Sequence, residues 1–74
     1  MRYDIIPCMK IEIEREEDGR WIAEIPELPG VMVYGETRSQ AISKAQALAL
    51  RVLADRLDHE EEIPELKEVF TVAA

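Results

Sequence analysis

The sequence predicts an α+β domain, β-β-β-α-β, in which an antiparallel three-stranded meander and a fourth strand are covered by one long helix. Three observations carry that expectation. Residues 9–14 and 21–25 alternate apolar and polar side chains with the period of two that a half-buried strand requires. A bend rich in proline and glycine, residues 26–30, leads into the β-branched and aromatic stretch Val31, Met32, Val33, Tyr34. From Thr37 to about Asp58, apolar residues recur at helical spacing.

Strand one is expected over residues 8–16, with Met9, Ile11 and Ile13 on one face and Lys10, Glu12 and Glu14 on the other. Glu17, Asp18 and Gly19 fit a three-residue hairpin loop, a type I turn closed by glycine in the left-handed region. That loop sets Ile13 opposite Ala23, Ile11 opposite Ile25 and Glu16 opposite Arg20. A two-residue loop would pair Ile13 with Glu24 and mix the two faces. The same register puts Glu12 opposite Glu24, a like-charge pair that costs a few tenths of a kcal/mol. Lys10 or Arg15 could relieve it locally, and so could a cationic surface laid on that face.

Pro26 and Pro29 cannot donate ladder hydrogen bonds, so strand two ends near Ile25 and Gly30 turns the chain into strand three, about residues 31–35. Thr37 and Gln40 form a capping-box pattern at the helix start. Stepping at 100° per residue puts Ala41, Ile42, Ala45, Leu48, Ala49, Val52 and Leu53 against the sheet, and Gln40, Lys44, Arg51, Asp55 and Asp58 toward water. A flanking stripe of Leu50, Ala54 and Leu57 is expected to be either a subunit interface or a surface covered by the last strand and the 60–67 connection. Glu60, Glu61 and Glu62 oppose the macrodipole at a helix C-terminus, so the helix ends before them. Ile63 and Pro64 form a connector. A final strand at 68–72, placed parallel to strand one by a right-handed crossover, completes the expected order.

Seventy-four residues, 47% hydrophobic and 34% charged, make one small soluble domain, 1–74, whose single core is marginal, so self-association as a dimer or tetramer is expected. No stretch approaches the ~20 apolar residues of a membrane helix and no signal-peptide pattern opens the chain, so a cytoplasmic location is expected. The single cysteine, Cys8, reads as a strand residue. With it and one histidine, His59, an intrachain zinc site is not expected. The net charge of -7 argues against direct nucleic-acid binding and for a basic partner, unless it serves solubility alone.

The ordered set of Asp18-Gly19, the strand ending in Glu24-Ile25-Pro26-Glu27-Leu28-Pro29-Gly30, Gly35-Glu36-Thr37 opening an alanine-rich helix, and Ile63-Pro64 resembles the HicB-like antitoxin family from about Met9 to Pro64. The resemblance implies a partial ribonuclease H-like fold without that fold's catalytic carboxylates. It also implies the antitoxin role of a type II toxin-antitoxin pair, whose partner is HicA, a small basic toxin that cleaves messenger RNA using a histidine. Many members carry a C-terminal DNA-binding domain, for which a chain ending at Ala74 leaves no room, so no direct nucleic-acid binding is expected. The helix start, Arg38-Ser39-Gln40, also lacks the acidic residues common in the family.

Catalysis by a magnesium-binding carboxylate cluster would need groups such as Asp18, Glu24, Glu27 and Glu36 to converge. Asp18 is explained by the turn, Glu27 and Glu36 by loops, Glu24 by the solvent face and His59 by the helix end. The expectation is a non-enzymatic protein with no cofactor or metal. Its partner-binding surface is expected to be the outer sheet face, Glu12, Glu14, Ile22 and Glu24, with Tyr34 at the rim, and Leu50, Ala54 and Leu57 its oligomer interface. The alternative is an orphan oligomeric structural or regulatory homologue without a toxin.

Overall fold

The computed structural model describes residues 9–63, 66 and 69–73. Three strands, β1 (Glu12–Arg15), β2 (Trp21–Glu24) and β3 (Met32–Gly35), precede one helix, α1 (Arg38–Asp58). The sheet is antiparallel in the order β1-β2-β3, and α1 packs across all three strands.

The hairpin register follows from its turn. Ile13 pairs with Ala23 and Glu12 with Glu24. Gly19 adopts φ +94°; its N–H donates to Glu16 O at 3.0 Å and the Glu16 N–H donates to Arg20 O at 2.7 Å. β1 is shorter than the expected 8–16, since Ile25 begins a bend and leaves Ile11 no ladder partner; Cys8 lies outside the described residues.

The bend between β2 and β3 closes on itself. Ile25 N–H donates to Val31 O, Leu28 N–H to Ile25 O, and Val31 N–H to Leu28 O, at 2.9–3.0 Å. With the local backbone groups satisfied in this way, Leu28 turns inward and is completely buried. It joins Ala23, Ile25, Val31, Ala41, Ala45, Ala49, Leu53 and Ile63 in the core. The connector residue Ile63 is thus a core residue, packed where the chain leaves the helix.

The helix carries most of the expected inner stripe, with Ala41, Ala45, Ala49 and Leu53 buried and Leu48 and Val52 packed beside them, while Ile42 is only half-buried and outside that core. Its small residues let the sheet come close. At Gly35 a Cβ would lie 2.5 Å from Ala41 N and 2.8 Å from Ala41 Cα. At the N-cap, Thr37 Oγ1 accepts from Gln40 N–H at 3.0 Å, while Gln40 Oε1 accepts from Glu36 N–H at 2.6 Å. The reciprocal bond of the cap therefore reaches one residue further back than a capping box does. At the other end Glu60 N–H donates to Leu57 O and Glu61 N–H to Arg56 O. These are the two bonds of a Schellman motif, with Glu60 at φ 60° in the position glycine usually takes.

The fourth strand is absent among the described residues. Val69 lies in a turn and Phe70, Thr71, Val72 and Ala73 have no regular structure, while Lys67 and Glu68 lie outside the described set. β-propensity in that stretch does not by itself supply a ladder partner.

Candidate functional site

Alternation along the strands sends one set of side chains to the helix and the other to the opposite face. Arg15, Trp21 and Gly35 align on the helix side, where the Arg15 guanidinium lies 5.9 Å from the Trp21 ring centroid. On the outer side the ladder aligns Glu12, Glu24 and Met32 in one row and Glu14, Ile22 and Tyr34 in the next. Glu12, Glu14, Glu24, Met32 and Tyr34 are exposed and Ile22 is half-buried. Glu12, Ile13, Glu14, Ile22 and Glu24 line a shallow concavity of about 320 Å³. The structure therefore brings together all five residues of the expected partner surface and adds Met32, whose place on that face the ladder parity fixes.

The face is unevenly charged. At its turn end Arg20 is engaged locally: its backbone N–H donates to Asp18 Oδ1 at 3.0 Å, its Nε–H to Asp18 Oδ2 at 2.8 Å, and its guanidinium lies 4.4 Å over the Tyr34 ring. Those two bonds, the backbone one first, hold the Asp18 carboxyl below the usual carboxylate range. Among the described residues no ion pair engages Glu12, Glu14 or Glu24. Arg15, one of the two cations that could have offset the Glu12–Glu24 pair, is directed to the Trp21 side instead. Among the described residues, an acidic strip thus stands exposed beside an apolar and aromatic strip.

The remaining carboxylate candidates do not converge. Asp18 serves the turn, Glu27 and Glu36 lie exposed in separate loops, and His59 Nδ1–H donates to Asp55 O at 2.8 Å at the helix end. Among the described residues, no three His, Cys, Asp or Glu side chains gather as a metal ion would require. No helix among them is long and apolar enough to cross a membrane.

On the far side of α1, the flanking stripe is exposed among the described residues. Leu50 is 67% and Leu57 48% accessible, and Ala54 is exposed beside them. Leu50 also borders an apolar groove of about 390 Å³ with Met9, Ile11, Ile25 and Leu53.

No family model matches the chain, and no solved structure matches it. Among curated proteins, the chain is similar to the UPF0150 protein Ta0767 of Thermoplasma acidophilum, 28% identical over 64 residues that span 86% of this chain and 84% of that protein.

Proposed function

We propose that the protein is a non-catalytic protein-binding module, an antitoxin of HicB-like type that neutralises a small basic, HicA-type RNA-cleaving toxin by covering it. The observation that carries this reading is the outer sheet face. Three carboxylates, Glu12, Glu14 and Glu24, stand exposed without ion-pair partners among the described residues, next to Ile22, Met32 and Tyr34. A cationic surface placed there relieves the Glu12–Glu24 repulsion and buries the apolar strip in the same step. Such pairing favours fast, charge-steered association and selects against acidic competitors. The resemblance of the segment 9–64 to HicB-like antitoxins, together with the net charge of -7, supports a basic protein rather than a nucleic acid as the occupant.

The direct test is co-expression with any small basic open reading frame found adjoining this gene. The expected result is co-purification and relief of toxicity, both lost when Glu12, Glu14 and Glu24 are together changed to Lys, with affinity falling at least about a hundredfold. Equal affinity of the triple variant would overturn the assignment of the face. Absence of any small basic neighbour would overturn the toxin partner.

A further inference from the structure

We infer that the exposed stripe of α1 pairs with the same stripe of a second copy, the two helices running antiparallel. Ser43, Leu50 and Leu57 are spaced seven residues apart, and Ala47 and Ala54 fall between them with the same period. Ser43 is small and polar, so the alternation of large and small apolar positions is confined to Ala47, Leu50, Ala54 and Leu57, a short apolar seam at heptad spacing against which a second helix can pack. In the register that lays Leu50 on Ala54 of the second copy, Leu57 lies on Ala47, and the two-fold axis repeats both contacts. Each leucine then fills the space that an alanine leaves.

Charge decides the direction. Residues 38–54 carry Arg38, Lys44 and Arg51 and no Asp or Glu, whereas residues 55–62 carry Asp55, Asp58, Glu60, Glu61 and Glu62 against the single cation Arg56. Asp55, Asp58, Glu60, Glu61, Glu62 and Lys44 are exposed. A parallel pair would stack basic half on basic half and acidic on acidic. The antiparallel register instead brings Lys44 of each copy beside Asp58 and Glu60 of the other. The same pairing also covers the rim of the apolar groove at Leu50, a surface that water otherwise contacts. This interface lies on the opposite side of the domain from the acidic sheet face and does not depend on a toxin partner.

Sedimentation equilibrium on the full chain tests the pairing. The wild type is expected to dimerise at micromolar concentration. Leu50→Ala, an exposed change that leaves the circular dichroism of the fold intact, is expected to weaken dimerisation about thirtyfold, since each dimer loses two central leucines. Lys44→Glu is expected to weaken it severalfold, and adding Asp58→Lys in the same chain to restore it, because in an antiparallel pair the reversed charges meet again. A wild-type monomer at high micromolar concentration, with the stripe left to another protein or another segment of the chain, would overturn the inference. A dimer indifferent to Leu50→Ala would overturn it as well. Lys44→Glu without effect, or without rescue by Asp58→Lys, would overturn the antiparallel direction.

Discussion

Gly35→Ala tests how closely the sheet and helix are fitted. The added methyl would sit 2.5 Å from Ala41 N, 2.8 Å from Ala41 Cα and 3.0 Å from Ala41 Cβ. Favourable contact needs about 3.5 Å, so the helix start must retreat by about 1 Å. Two of the three obstructing atoms belong to backbone inside α1, so no side-chain rotation relieves the clash. Overpacking of this kind costs about 3 kcal/mol at the upper end of its range. Alanine in place of glycine also restricts the unfolded chain and returns about 0.7 kcal/mol. The clash wins, for a net loss of about 2 kcal/mol, a large share of the stability of so small a domain. In urea the midpoint should fall with the slope unchanged, and the thermal midpoint should drop by about 10 °C or more. A Gly35→Ala protein as stable as the wild type would refute the close approach of β3 to Ala41.

Three further outcomes follow from the structure. Leu28→Ala, which empties a fully buried site between two prolines, should cost about 3 kcal/mol by chemical denaturation, where a solvent-exposed loop leucine would cost almost nothing. Glu60→Gly should stabilise the protein by about 1 kcal/mol, since it relieves a left-handed residue and removes an anion from the helix C-terminus; a loss of stability would show that the Schellman cap is not formed. The Asp18 carboxyl titrates below its ordinary 3.8, so its contribution to the hairpin is complete above that value and is lost as pH falls through the lower folded pKa. Asp18→Asn should remove that part of the acid dependence, measured as hairpin chemical shifts against pH, and an unchanged acid profile would contradict the Asp18–Arg20 bonds.

Much of this was legible in the sequence because the relevant signals are local. Gly19 closing a three-residue turn dictated the Ile13–Ala23 register, and the spacing of Ala41, Ala45, Ala49 and Leu53 dictated the buried helix face. Leu28 and Ile63 escaped notice because each sits next to proline in a non-periodic stretch, where neither period two nor period 3.6 marks an inward side. The contact of Gly35 with Ala41 is tertiary, and strand termination already explained a glycine there. Glu60 in the left-handed region has no sequence signature, because glycine or asparagine is what usually marks that position. The expected strand at 68–72 shows the converse: β-branched composition suggests a strand, but none is formed at its described residues, 69–72. For the candidate site, strand parity and charge were enough to place Glu12, Glu14, Ile22, Glu24 and Tyr34 on one face. The same parity sends Arg15 to the helix side, but its approach to the Trp21 ring required three dimensions.

The domain is two layers deep, with α1 on one side of the sheet and the carboxylate face on the other. The helix pairing proposed above would therefore point both acidic faces outward and give the dimer a valence of two. If the proposed partner presents two linked sites, one dimer bridging both would dissociate far more slowly than a single face allows, whereas two separate partners, one on each face, would leave at the single-face rate. The thinness that makes the monomer marginal is the property that keeps both of its broad surfaces available at once.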